Sequence, residues 1–152
     1  PEVAKAAQEN VNLATALADV QILFSDFNVP IEIKLSEELV QVWIDPDAFR
    51  RVLGNLVQNA IYAVSGMANP LILIRVQSAE NKVVLEIEDN GTGIPKELES
   101  KIFQPNFTTK SSGTGLGLAI CQQIIEQANG KIWFDSEEGK GTKFTIELPK
   151  TA

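Results

Sequence analysis

The sequence contains no histidine and a single cysteine, Cys121, and both shortages limit its chemistry. Without histidine there is no imidazole to act as a general base, a zinc ligand or a phosphate acceptor. One cysteine cannot form an internal disulfide, which fits a reducing compartment. Any catalysis must therefore rest on groups other than histidine.

Long hydrophobic runs and an excess of positive charge are also missing. No run approaches the length of a membrane span, and the first residues, PEVAKAAQEN, have neither an initiator Met nor the form of a signal peptide. We therefore expect a fragment of a longer protein. The formal net charge of -7 argues against a nucleic-acid-binding surface and against direct contact with an anionic membrane, since both need clustered positive charge.

What is present fits one globular domain. The chain has 152 residues, of which 44% are hydrophobic, and this is enough to bury a core without metals or disulfides. Residues 1–10 are small and polar, so we expect them to be a linker or the remnant of an upstream helix. We expect residues 11–150 to form the domain.

Apolar residues at three- and four-residue steps predict three helices. The first begins at the N-cap Asn12 and is stopped by Pro30, and the second runs from Asp45-Pro46 to Ser65-Gly66. The third runs from Gly117 to Ala128. The first helix has an inward stripe of Leu13, Ala16, Leu17, Val20, Leu23, Phe24 and Phe27. The second has a stripe of Phe49, Val52, Leu53, Leu56, Val57, Ala60 and Val64.

Alternating apolar residues predict three pairs of strands. The pairs are 31–35 with 40–44 as a hairpin, 71–76 with 83–87 as central strands, and 132–134 with 144–148 at the end. This order predicts an α+β fold. We expect a two-layer α/β sandwich with a mixed, antiparallel-rich sheet of about five strands plus a small hairpin, and about three main helices on one face.

The stretch IEDNGTGIP, residues 87–95, is the first candidate for chemistry. A strand here ends in Asp89 and continues into Gly91 and Gly93, which can take positive φ and let a flat ligand approach the main chain. Asp89 is a candidate acceptor for an exocyclic amine. The alternative is that Asp-Asn-Gly forms an ordinary Asx-turn.

Asn55 and Asn59 are the second candidate. They are four residues apart on the second predicted helix, so both project from one side, at the margin of the apolar stripe. An amide oxygen suits Mg²⁺, which needs only one or two protein oxygens besides ligand phosphates. The alternative is that both are solvated amides on a helix surface.

Residues 104–117 are the third candidate. GTGLG, from Gly113 to Gly117, opens into a helix, where free N–H groups suit phosphate, although the glycines also fit a merely flexible entry. It is neither a Walker loop nor a Rossmann fingerprint. The preceding polar segment predicts a surface loop in which Phe103 and Phe107 are hydrophobic latches and Lys110 is a counter-charge for phosphate. Downstream, Thr142 could offer a hydroxyl to a base, and we expect Cys121 to be core packing.

Together these stretches resemble the catalytic and ATP-binding domain of sensor histidine kinases, in the GHKL superfamily with its Bergerat ATP-binding fold. The similarity runs from about Asn10 to Pro149 and includes five motifs in family order. These resemble the N box, the first glycine box, the F box, the second glycine box and the terminal glycine box, and they read DPDAFRRVLGNLVQNAIYAV, DNGTGIP, IFQPNFTTK, GTGLGLAI and GKGTKFTIELP. Tyr62 stands where many histidine kinases have a basic residue, and NAIYAV is similar to the nitrogen-regulatory type.

The resemblance implies a role for each matched residue. Asn59 would ligate Mg²⁺, Asn55 would support the phosphate region and Lys110 would hold phosphate, and these are the candidate catalytic residues. Asp89 would accept a hydrogen bond from the adenine amine. The implied nucleotide-binding set is Asn59, Asp89, Gly91, Gly93, Ile94, Phe107, Thr109, Lys110, Gly113, Gly115, Leu116, Gly117 and Thr142.

The resemblance also implies ATP and Mg²⁺ as cofactors and a bacterial, cytoplasmic location, and it leaves open whether the full-length protein is anchored to a membrane. The direct partner would be the dimerisation and histidine-phosphotransfer domain of the same protein, and a response regulator receiver domain would be an indirect partner. Since this chain has no histidine, we expect it to bind nucleotide but not to autophosphorylate.

The alternatives are a GHKL ATPase and a non-catalytic nucleotide-sensing module. GHKL ATPases place a general-base glutamate four residues before the metal-binding asparagine, where this chain has Asn55. A neutral amide cannot accept the proton of water, which favours the kinase interpretation.

Overall fold

The computed structural model describes residues 8–37, 39–105 and 117–151, and these form two sheets and three α-helices. The elements in chain order are β1 (Glu9–Asn12), α1 (Leu13–Leu23), β2 (Ile31–Leu35), β3 (Gln41–Ile44), α2 (Pro46–Ala63), β4 (Ile72–Ser78), β5 (Lys82–Asp89), α3 (Gly117–Gln127), β6 (Lys131–Glu137) and β7 (Gly141–Pro149). Short 3-10 turns lie at Ser25–Phe27 and Lys96–Leu98. None of the helices in this part of the chain is long and apolar enough to cross a bilayer.

The predicted fold class is confirmed. The main sheet has the strand order β2-β4-β5-β7-β6, and a separate two-stranded sheet pairs β1 with β3. In the main sheet β2 is parallel to β4, whereas the other neighbours are antiparallel. The helices pack on one face: α1 contacts β2, α2 contacts β4, β5 and β7, and α3 contacts β6.

The predicted hairpin between residues 31–35 and 40–44 is wrong. Its two strands belong to different sheets, because β2 pairs with β4 and β3 pairs antiparallel with β1. Alternation identifies a half-buried strand but does not identify its partner, and the two sequences fit either arrangement equally well. The partner of β3 includes Glu9 and Asn10, which lie in the segment that we expected to be a linker.

Helix starts follow the predicted capping chemistry. The Oδ1 atom of Asn12 accepts from the N–H of Thr15 at 3.1 Å, and that of Asp45 accepts from Asp47 at 2.8 Å. All seven residues of the α2 stripe are buried. The α1 stripe differs from the prediction at two positions, since Leu23 and Phe27 are 61% and 50% exposed. Leu23 is the last residue of the helix, and Phe27 lies beyond it, where helical spacing no longer applies.

The core lies between the helices and the main sheet. Along β5, side chains alternate between this core and the open face, so Leu85, Ile87 and Asp89 share the helix-facing side. The open face carries ion pairs between Arg75 and Glu88 at 3.6 Å and between Lys143 and Glu86 at 3.4 Å. The strand register thus delivers one carboxylate, that of Asp89, to the helix side of the sheet, where its neighbours along the strand are apolar.

Candidate functional site

Asp89 is a buried acid at the last position of β5. Only 7% of the residue is exposed, and its Oδ1 atom accepts from the N–H of Gly91 at 2.9 Å. That bond is the Asx-turn expected from Asp-Asn-Gly. A carboxylate has about four lone-pair sites, so the turn and a ligand amine can be accommodated by the same group.

Burial raises the pKa of Asp89 above its ordinary value of 3.8. Backbone N–H groups of Gly91 and Thr142 oppose this increase because they stabilise the ionised form, while the charge of Glu88 adds to it. The carboxylate therefore sits in an environment that disfavours its charge. A bound donor that stabilises the ionised form would relieve part of that cost.

Gly91 and Gly93 are needed for contacts within the chain. A Cβ at Gly91 would overlap the carbonyl oxygen of Ala63, and one at Gly93 would overlap that of Glu137. Gly93 also has a φ of 77°, which disfavours any other residue. The close approach that we attributed to a ligand is thus already made by the protein's own backbone, and the contact of these glycines with a nucleotide stays a prediction.

Asn90 is a residue that the sequence reasoning used only as part of a turn. Its Oδ1 atom accepts from the N–H of Leu71 at 2.9 Å, and its Nδ2 atom donates to the carbonyl of Asn69 at 2.8 Å. Two residues later, Thr92 donates its N–H to the carbonyl of Ala63 at 3.2 Å. These bonds fix the end of β5 to the last residue of α2 and to the segment between α2 and β4.

Thr142 lies directly opposite Asp89 in the register of β5 and β7, and it is 6% exposed. Its Oγ1 atom is 2.8 Å from the Oγ atom of Ser136, which also accepts from the N–H of Ile94 at 2.7 Å. Ile94 packs against the edge of the core. Sequence reasoning missed Ser136, because a serine in a strand carries no motif by itself.

Helix α2 connects the two ends of the candidate site. Asn55, Asn59 and Ala63 recur at four-residue steps, so they share one side of the helix over about 12 Å. At one end, the Nδ2 atom of Asn55 donates to the carbonyl of Gly117 at 3.3 Å, and at the other the carbonyl of Ala63 binds the glycine stretch. Asn59, which is half-buried, lies midway between the start of α3 and the surroundings of Asp89.

Cys121 is core packing, as predicted. It is fully buried, and its Sγ atom is 3.7 Å from the Nδ2 atom of Asn55 and 4.0 Å from the carbonyl oxygen of Val52. Burial raises the pKa of its thiol to about 11. The protonated thiol is a poor nucleophile at neutral pH.

Six of the predicted site residues lie outside the described residues: Phe107, Thr109, Lys110, Gly113, Gly115 and Leu116. On the near side of this gap, Phe103 packs against Phe134 and Phe144, with ring centroids 6.0 and 6.3 Å away. On the far side, Gly117 is held by Asn55. The flanks of this segment are therefore anchored to the core and to α2.

Comparison with known proteins gives the same family that the motifs resemble. The family described as "Histidine kinase-, DNA gyrase B-, and HSP90-like ATPase" matches residues 44–152. The sensor histidine kinase ZraS of Salmonella typhi is 44% identical over 125 residues, which are 82% of this chain and 26% of that protein. The chain therefore spans about a quarter of that relative.

Solved structures agree. The nucleotide-free catalytic domain of the histidine kinase ThkA has a TM-score of 0.85 and 39% identity, over 96% of this chain and 97% of that one. ThkA in complex with the response regulator protein TrrA has a TM-score of 0.79 and 36% identity, over 95% of this chain and 42% of that one. The chain belongs to the histidine kinase-, DNA gyrase B- and HSP90-like ATPase family, and within it to the catalytic domains of histidine kinases.

Proposed function

We propose that this domain binds Mg-ATP and donates the γ-phosphate to a histidine on the dimerisation and phosphotransfer domain of the same full-length protein. From there the phosphate would pass to the receiver domain of a response regulator. The similarity to sensor histidine kinases supports this, and one of the similar structures is a histidine kinase in complex with a response regulator protein. We also propose a cytoplasmic location, which suits a domain with one buried thiol.

The observation that carries the proposal is the alignment of groups along α2. Its C-terminal end holds the Asp89 turn through Ala63, its middle presents Asn59, and Asn55 is bonded to the first residue of α3. A base at Asp89 and phosphates at the start of α3 would therefore be held by one rigid element. Fixed positioning of this kind supplies much of the catalysis in phosphoryl transfer.

The described residues fit the groups that the family uses. Asp89 is a buried acceptor suited to an adenine amine, and Asn59 offers the neutral amide oxygen that Mg²⁺ takes together with phosphate oxygens. When bound, Mg-ATP supplies the phosphoryl group and neutralises its charge. The protein would orient the base through Asp89 and place α3 through Asn55, and the buried side chains of Leu85 and Ile87 would keep water from the sheet beside Asp89.

Asn55 favours transfer over hydrolysis. Its Nδ2 atom donates to Gly117, so this side chain supports the start of α3, and an amide cannot take a proton from water. At the position where ATPases of this family have a general-base glutamate, this chain has Asn55, whose side chain is bonded to Gly117.

The experiment that tests the proposal is phosphate transfer between separate domains. The chain is incubated with Mg-ATP labelled at the γ-phosphate, with and without the dimerisation domain of its own full-length protein. We expect no labelling of this chain alone, transfer to the added domain, and loss of transfer by at least 100-fold in Asn59→Ala, on the scale of a removed charge-stabilising group.

A matched control is Gln58→Ala, which shortens the amide next to Asn59 and should leave the transfer rate within about twofold. Robust release of inorganic phosphate without the acceptor domain would instead assign the chain as an ATPase. Nucleotide binding with neither transfer nor hydrolysis would favour the sensing module.

A further inference from the structure

Ser136 has three polar contacts and only one proton to give. Its Oγ atom lies 2.7 Å from the nitrogen of Ile94, 3.2 Å from the carbonyl oxygen of Gly141 and 2.8 Å from the Oγ1 atom of Thr142. The residue is half-buried at the point where β6 and β7 meet the glycine stretch. It therefore connects three segments around Asp89.

The donors and acceptors in these contacts can be assigned from their chemistry. The nitrogen of Ile94 can only donate, and the carbonyl of Gly141 can only accept. A serine hydroxyl has one proton and two lone pairs, so its proton goes to Gly141 and one lone pair receives Ile94. The second lone pair is then satisfied only if Thr142 donates its own proton to Ser136.

This assignment determines what Thr142 presents to a ligand. Its single hydroxyl proton is used by Ser136, so the remaining lone pairs of its Oγ1 atom can only accept. Asp89, its register partner on the same side of the sheet, also accepts when ionised. Together the two side chains offer acceptors to whatever group lies at this rim.

We propose that Ser136 is a specificity-determining positioning residue: by taking the proton of Thr142, it makes the Asp89–Thr142 edge of the site select a ring that carries an amine rather than an oxo group. The inference rests on the proposed nucleotide site and deepens it. An adenine amine can donate directly or through a water. Hypoxanthine instead places an oxo group, a further acceptor, at that position and has its donor on the adjacent ring nitrogen, displaced from the position of the amine.

The test compares the dissociation constants of Mg-ADP and of Mg-inosine diphosphate, which differ at the position that carries the amine and in the proton on the adjacent ring nitrogen. In Ser136→Ala the hydroxyl of Thr142 is free to turn and donate to an oxo group. The ratio used here is the dissociation constant of Mg-inosine diphosphate divided by that of Mg-ADP. We expect this ratio to fall by about fivefold in Ser136→Ala, which is the size of one neutral hydrogen bond. Ser136→Thr keeps the hydroxyl on a side chain that suits a strand, so it should keep the wild-type ratio.

The effect of Ser136→Ala is also measured in a Thr142→Val variant. This comparison separates an effect on the Thr142 proton from a loss of local order. Thr142→Val removes the hydroxyl at similar volume and should lower the ratio by itself, and adding Ser136→Ala to it should then change nothing further. An unchanged ratio in Ser136→Ala or in Thr142→Val overturns the inference. So does an effect of Ser136→Ala that persists in the Thr142→Val background, since it would then act through Ile94 or Gly141.

Failure of the nucleotide site on which the proposed function rests has a different appearance. In that case the wild-type chain would show no binding of Mg-ADP at all. Binding of Mg-ADP together with an unaltered ratio in the variants would overturn the role of Ser136 alone.

Discussion

Asp89 is a residue at which burial and ligand recognition have opposite effects on stability. Its carboxylate is needed as a charged acceptor, yet burial raises its pKa, so the folded chain without nucleotide binds the proton more tightly than the unfolded chain does. Its contribution to stability is therefore fully present below the unfolded pKa near 3.8 and is lost as pH rises through the higher folded value. At neutral pH the ionised group destabilises the nucleotide-free fold.

Asp89→Asn should remove both the destabilisation by the buried charge and the ability to bind nucleotide. The amide oxygen can still accept from Gly91, so we expect the melting temperature of the nucleotide-free variant at pH 7 to exceed that of the wild type, with the difference shrinking toward about pH 4. A saturating Mg-ADP concentration, about 100 times the dissociation constant, should raise the wild-type melting temperature by about 5–10 °C and leave the variant unchanged.

The control is Glu88→Gln, one residue earlier, which faces the open side of the sheet and pairs with Arg75. It should retain the full Mg-ADP effect. Thermal melts across pH with and without nucleotide test all of these expectations. A nucleotide-free Asp89→Asn variant that melts below the wild type at pH 7 would contradict the sign of the argument.

Among the elements, α2 both packs on the sheet and carries asparagines of the candidate site, and different faces of the helix serve the two roles. One face packs on the sheet with a continuous apolar stripe, and the margin carries the asparagines. The bond from Asn55 to Gly117 ties α2 to α3, and the same amide lies against the buried thiol of Cys121. The position of the α3 N-terminus, where free N–H groups suit phosphate, thus depends on α2.

Asn55→Ala should loosen this junction. We expect a loss of about 1 kcal/mol in the free energy of unfolding, and faster reaction of Cys121 with a thiol reagent because the helix pair opens more often. Labelling followed by absorbance under native conditions measures this rate. The wild-type thiol should react very slowly, since it is buried and its pKa is about 11. Gln58→Ala is the matched amide truncation, and equal labelling rates in both variants would refute the role of Asn55.

The elements were predictable from sequence where a single local pattern determined them. The α2 stripe and the caps at Asn12 and Asp45 specified the helices, because apolar spacing and capping both depend on neighbouring residues. Strand partners depend on residues far away, and this is why β3 was paired wrongly with β2. The end of α1 was overextended for a similar reason, since the spacing continued past the last helical residue.

For the candidate site, too, local patterns could be predicted from the sequence and contacts between distant residues could not. Asp89 and the two asparagines have chemistry and spacing that can be read locally. Ser136 and Asn90 act through bonds to residues that are distant in the chain, and no sequence pattern marks those bonds. Of the two glycines expected to use positive φ, Gly93 does and Gly91 does not, and the groups that approach both come from α2 and from the β6–β7 turn.

At the scale of the whole molecule, one core joins the two sheets. The buried cluster includes Val40, Val42 and Ile44 around β3 together with residues of every strand of the main sheet. Both ends of the described chain also lie along β3: β1 pairs with one edge, and the N–H of Thr151 donates to the carbonyl of Gln41 at 3.1 Å. The small sheet is therefore part of the same packing unit as the large one.

This continuity predicts cooperative unfolding, and the two tryptophans provide separate probes for it. Trp43 lies on β3 in the small sheet and Trp133 on β6 at the edge of the large one, and both are partly exposed, so replacing either by Phe should cost little. In urea, the fluorescence of Trp43→Phe reports the large sheet and that of Trp133→Phe the small sheet. We expect each midpoint to coincide with the loss of far-ultraviolet circular dichroism measured on the same variant, because a shared core unfolds in one transition. If the fluorescence of Trp133→Phe changed at a lower urea concentration than its circular dichroism, β1 and β3 would form a separately folding unit and the single core would be refuted.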